Sequence, residues 1–128
     1  MQWLMYIYIE VVYVSVYTVF LIFIGGDIAT GLLKALYNKN INSECLRKGM
    51  VHKFSEIIVV FGGGFLDYVT QMYFGKSLML LQTFSIYIIT MELISIIENL
   101  AEINPQLSGI LKPYLEKLKE KDKTNEGN

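Results

Sequence analysis

Long apolar runs alternate with short polar ones along this chain. Residues 11 to 26 carry no charge, residues 77 to 91 carry none, and the stretch from Ile57 to Gly75 is interrupted only by Asp67. A hydrocarbon core about 30 Å thick takes about 20 mainly apolar residues per helix, so the pattern predicts spans at about residues 8–30, 54–74 and 77–97. Residues 5 to 14 are rich in Val, Ile and Tyr and would also suit a strand. A lone strand in lipid leaves its backbone groups unpaired, which favours the helix. The fold class expected is therefore all-α: an integral membrane protein with three transmembrane helices.

The polar runs predict the connections. Asn38, Asn40, Asn42 and Ser43 mark a loop within a polar connection over residues 34 to 53, since these side chains compete with helical hydrogen bonds. The short Gly75, Lys76, Ser77 link makes the second and third spans antiparallel neighbours. Beyond Asn104 the composition shifts to Pro, Lys and Glu. The division expected is a membrane domain over 1–104 and a charged cytoplasmic tail over 105–128. Leu107, Leu111, Leu115 and Leu118 recur at helical spacing, as in an amphipathic segment at the membrane surface. The end, Lys119 to Asn128, has the composition of a disordered segment.

Composition agrees with a bilayer as the solvent. Of 128 residues, 53% are hydrophobic and 18% charged, against about 25% charged in an average soluble domain; the mean hydropathy is +0.41. A net charge of −1 says little as a sum, but the positions of the charges are informative. Lys34, Lys39, Arg47, Lys48 and Lys53 precede span two, Lys76 lies in the short link, and Lys112, Lys117, Lys119, Lys121 and Lys123 lie in the tail. Ten of the eleven basic residues thus share one side of a three-span protein, which the positive-inside rule makes cytoplasmic: N-terminus out, C-terminus in. No Lys or Arg precedes Lys34, so the first span lacks the basic flank of a signal peptide and is expected to be retained.

Little points to catalysis or nucleic acid. Cys45 and His52 are the only cysteine and histidine, which removes an internal disulfide, a cysteine-based zinc site and most imidazole relays. Gly62, Gly63 and Gly64 lack the Lys-Ser/Thr that follows a phosphate loop. No uniform basic face suggests nucleic acid. No catalytic residue, metal ligand or cofactor site is expected.

What needs explaining is the set of carboxylates in or beside the apolar spans: Glu10, Asp27, Glu56, Asp67 and Glu92. An Asp at a helix centre costs about 2.5–3.5 kcal/mol on insertion, offset by roughly six apolar residues. Such acids turn toward other helices or water rather than lipid. Helical spacing places Glu56, Gly63 and Asp67 on one stripe, and Ser85, Glu92 and Asn99 on another with Ser95 at its flank. In span one Tyr6, Glu10, Tyr13, Tyr17, Phe20, Ile24, Asp27 and Gly31 step by four and three. Each span has one polar or aromatic seam, compatible with a packed bundle or with a water-lined pathway. Gly62 to Gly64, mid-span, favour close helix contact, within the chain or between copies.

Asp27-Ile-Ala-Thr30-Gly31, then Lys34, the Lys39-Asn-Ile-Asn-Ser loop, Arg47-Lys48-Gly49 and Lys53 resemble the signature of the toxin-secretion and phage-lysis holins, the fourth phage holin family. Asp67, then Glu92, Ser95, Glu98, Asn99 and Pro105 before a Leu- and Lys-rich tail continue the likeness, which covers residues 27 to about 118. Met91 departs from it, where relatives usually carry Asn before that Glu. The resemblance implies a small multi-pass protein of the bacterial cytoplasmic membrane that oligomerises and permeabilises it. It also implies a cell-wall hydrolase (endolysin) or a large toxin as functional partner. On that expectation Asp27, Thr30, Gly31, Gly62, Gly63, Gly64, Asp67, Glu92, Ser95 and Asn99 form the oligomer or pore seam. Lys34, Lys39, Arg47, Lys48 and Lys53 set topology against anionic lipid. The alternative is a small membrane adaptor of a secretion complex, whose seams would meet a different protein.

Overall fold

In the computed structural model, which describes residues 1–127, the chain forms four helices: α1 (Gln2–Tyr37), α2 (Ser43–Phe74), α3 (Leu80–Ile103) and α4 (Pro105–Glu126). No strand occurs among the described residues. At 1.5 Å per residue, the 36, 32 and 24 residues of α1, α2 and α3 give lengths of about 54, 48 and 36 Å. All three are long and apolar enough to cross a membrane.

The helices run further than the spans expected from hydropathy, because hydropathy reports where lipid is and not where helix ends. The polar connection over 34–53 is mostly helical, and the chain turns only at residues 38–42. Leu, Lys, Ala, Arg and Glu are good helix formers in water as in lipid. Lys39 ends α1 in the left-handed region (φ 50); its N–H donates to the Leu36 carbonyl at 3.2 Å and that of Asn40 to Ala35 at 3.0 Å. These are the paired backbone bonds of a Schellman ending. Gly75, at φ 63, closes α2 in the same conformation, its N–H reaching the Gln71 carbonyl at 3.1 Å.

Asn104 caps α4, its side chain accepting from the Gln106 N–H at 3.1 Å, with Pro105 in the first turn where its missing N–H costs nothing. α4 then continues to Glu126, where a disordered end was expected; Asn128 lies outside the described residues. Two forces oppose disorder here. Lys and Glu have high helix propensity, and Lys119 forms an ion pair with Glu98 of α3 at 2.5 Å.

Two compact units share the helices. Residues 1–22 and 43–89 make the first, residues 23–42 and 90–128 the second. In the first unit α1 runs antiparallel to α2, with Tyr13 against Tyr68 and Tyr17 against Phe61. Its core is Phe20, Val60, Leu81 and Ile88. The glycines of α2 are what let the neighbours close in. A Cβ on Gly64 would overlap the Tyr17 hydroxyl, and one on Gly63 would lie 2.7 Å from Phe84 Cδ2, whereas one on Gly62 would meet nothing. In the second unit Ile24, Ile94 and Ile97 are buried, and the Gly26 position sits 3.1 Å from Ile96 Cδ1. Outward faces carry Val14, Ile22, Ile58, Phe65 and Ile86 in the first unit, and Leu32, Leu33 and Leu36 in the second.

Overpacking a filled site costs about 1–3 kcal/mol. Gly64→Ala is expected to lower the thermal unfolding midpoint in detergent micelles, followed by circular dichroism. Gly62→Ala, which meets open space, is expected to leave the midpoint unchanged or raise it.

Candidate functional site

The acids and amides of the spans are the chemistry the chain has, and each unit handles its own. In the second unit Asp27 is 9% exposed and Asn99 7% exposed. The Asn99 amide donates to Asp27 Oδ1 at 3.2 Å and to Thr30 Oγ1 at 3.1 Å. An amide nitrogen carries two hydrogens, so it serves both acceptors at once. The Thr30 hydroxyl spends its own proton on the Gly26 carbonyl at 2.9 Å, leaving a lone pair for Asn99. Gly31 borders this junction: a Cβ there would stand 3.7 Å from Asn99 Nδ2, an ordinary van der Waals contact. Glu92, 2% exposed, lies about two turns up α3 and has interactions within the chain. Ser95 is half-buried. At the edge of the unit Lys34 pairs with Glu102 at 3.8 Å. Asp27 and Thr30 of α1 and Asn99 of α3, 72 positions apart at the Asp27–Asn99 bond, thus make one polar junction.

In the first unit Asp67 is fully buried and bonds to backbone instead of side chains. Its Oδ1 accepts from the Leu78 N–H at 3.1 Å and its Oδ2 from the Leu81 N–H at 2.7 Å. The first amides of a helix have no partner within it and carry partial positive charge. A carboxylate from α2 therefore caps α3. This explains why α3 begins at Leu80 and not at the expected 77: Met79, at φ 56, turns the chain so that Leu78 and Leu81 both face Asp67. Gly63 and Gly64 are buried on the same face of α2 as Asp67, while Gly62 is exposed.

Two further polar features belong to the first unit. Ser85 is 1% exposed, and its Oγ, like Gln82 Oε1, is buried without a hydrogen-bond partner. Both line a groove of about 280 Å³ with Ser15, Val16, Val19, Ile86 and Ile89. The basic end of α2 is solvated at Glu44 and Lys48, whereas the side chains of Lys53 and Glu56 are largely buried. Lys48 pairs with Glu44 at 3.0 Å, and Lys53 with Glu56 at 3.6 Å, while His52 lies 3.1 Å from Glu56. Lys39 and Arg47 are exposed in their respective units.

The structure brings Asp27, Thr30, Gly31 and Asn99 together, and places Gly63, Gly64 and Asp67 on the packed face of α2. Its contribution beyond the spacing is the identity of the partners. The Leu78 and Leu81 amides are invisible to any reading of side chains. Gln82, the only amide in the run from Ser77 to Met91, lies off the seven-residue repeat of Ser85, Glu92 and Asn99, and its signal is that of a polar residue in an apolar stretch.

The model of the bacteriophage holin family matches residues 3–120. No curated protein and no solved structure matches the chain.

Hydrogen bonds to charged groups contribute about 1.5–3 kcal/mol. A double-mutant cycle of Asp27→Leu and Asn99→Leu, read by unfolding in detergent, is expected to give a coupling of about 1–3 kcal/mol; additive effects would separate the two residues. Asp67→Leu removes both acceptors at the start of α3. Hydrogen exchange at the Leu78 and Leu81 amides is expected to accelerate about tenfold or more, as for loss of a cap of about 1–2 kcal/mol, with the Asn99 region unaffected.

Proposed function

The chain belongs to the bacteriophage holin family and is a membrane protein, and from that premise we propose that it assembles with copies of itself in the bacterial cytoplasmic membrane and opens lesions there. Through them a cell-wall hydrolase or a large protein toxin leaves the cytoplasm. The observation that carries this reading is the distribution of polarity. In each unit the outward residues of the spans are mainly Val, Leu, Ile, Phe and Tyr, while Asp67, or Asp27, Glu92 and Asn99, are inside. Such a chain is at home in lipid as a single copy. A water-filled lesion needs polar walls, and the polar groups available within the spans are these seams: Asp27, Thr30, Asp67, Glu92, Ser95 and Asn99, with Gly31 and Gly62 to Gly64 permitting close approach. Assembly in this reading exchanges partners within the chain for partners in other copies and for water.

The unpartnered Gln82 Oε1 and Ser85 Oγ support association. Neither finds water in a bilayer, and polar side chains on transmembrane helices act as glue between them. Lys34, Lys39, Arg47, Lys48 and Lys53 and the tail lysines hold the topology with the N-terminus out and the C-terminus in.

Inducible expression in bacteria, with membrane potential and viability followed over time, tests the reading. The expected outcome is normal growth, then abrupt depolarisation after a delay. Steady growth at high expression would overturn it in favour of the adaptor. Asp27→Leu and Asp67→Leu are each expected to shift the time of depolarisation and the ladder of cross-linked oligomers. If neither changes, those seams take no part in assembly.

A further inference from the structure

One carboxylate of the spans is left outside every polar junction described above. Glu10 is exposed, and it lines a groove of about 350 Å³ in the first unit together with Tyr13, Tyr17, Phe61 and Tyr68, among others. It makes no ion pair or hydrogen bond with any described residue, and no lysine or arginine lines the groove. Its surroundings are aromatic and geometrically ordered. Tyr17 and Phe61 stack at 4.4 Å with planes 21° apart, while Tyr13 and Tyr68 meet edge to face at 6.1 Å and 86°. The two pairs wall a corner that opens outward, since Phe61 and Tyr68 are 41% and 40% exposed.

A carboxylate at membrane depth without a counter-charge in its own chain calls for one from outside. Aromatic faces carry a negative quadrupole and attract ammonium groups, with or without methyl substituents. The depth narrows the source. Glu10 follows Trp3, Tyr6 and Tyr8 on α1, within about 10 Å of Trp3 along the helix. Trp and Tyr gather at the level of lipid headgroups. The ammonium available at that level in bulk is the headgroup of an aminophospholipid.

We propose that the groove of Glu10, Tyr13, Tyr17, Phe61 and Tyr68 binds the ammonium headgroup of a membrane aminophospholipid, Glu10 taking the charge and the rings enclosing the adjoining carbons. The site is independent of assembly into lesions, because every group in it lies within one unit of one copy.

The test uses the full chain reconstituted in phosphatidylglycerol vesicles with trace lipids spin-labelled on the acyl chain. One probe is phosphatidylethanolamine; the other is a glycosyl diacylglycerol, neutral and without an amine. Electron paramagnetic resonance reads the immobilised fraction at the protein surface. The expected result is a preference for phosphatidylethanolamine of about fivefold or more, where tenfold corresponds to 1.4 kcal/mol. It should fall to parity in Glu10→Gln and weaken in Tyr68→Leu, with helix content unchanged by circular dichroism. Equal immobilisation of the two probes by the natural sequence would overturn the proposal, as would a preference that survives Glu10→Gln. Carbodiimide coupling of Glu10 to Lys76 of a second copy, without lipid preference, would overturn it in favour of a contact between copies.

Discussion

A carboxylate placed in an apolar helix has to be given hydrogen-bond donors, because neither lipid nor an alkyl core supplies any. The rest of this structure depends on how that requirement is met. Asp67 takes two backbone amides from the start of α3. Asp27 takes the amide of Asn99. Each solution reaches across the sequence to another helix, so the local cost of an acid becomes a fixed contact between helices. In the first unit that contact decides where α3 begins. In the second it aligns the last third of α1 with the latter part of α3. Leucines in the same places would insert more readily and would leave the helices free to slide.

The glycines complete the arrangement by a different route. Gly63 and Gly64 bring no bonds; their lack of a side chain lets Phe84 and Tyr17 press onto the α2 backbone. Dispersion falls off steeply with distance, so such contact matters more in lipid, where burying apolar surface yields nothing extra. Membership of the holin family accords with a chain built this way. Its outward faces dissolve in a bilayer, and its polar groups are held in a few well-defined junctions.

Much of this was legible in the sequence, because period and hydropathy are properties of side chains. The charge-free runs located three helices, and the seven-residue repeat of Ser85, Glu92 and Asn99 picked out residues that are all buried. Helix ends were not legible. Lys34 to Tyr37 and Ser43 to Lys53 look like loop by polarity, yet their residues suit a helix in water and the helices continue through them. The partners of Asp67 were hidden for another reason: backbone amides are the same in every residue. Likewise, Glu10 shares the spacing of the Tyr13 and Tyr17 seam, but only coordinates reveal that its side chain is left outside while Asp27, on the same seam, is enclosed. Composition alone also underrated α4, whose lysine-rich end is helical and whose Lys119 has a partner in Glu98.

The Tyr17 hydroxyl occupies the space that a side chain at position 64 would fill. Sliding α1 along α2 by one helical turn, about 5.4 Å, would bring that ring onto Val60 or Tyr68, both of which carry bulky side chains. The two helices therefore mesh in a single register, like a key whose one deep cut admits one tooth. Any rearrangement of this unit must either carry α1 and α2 together as one piece or first lift them apart, and intermediate slippage is closed to it.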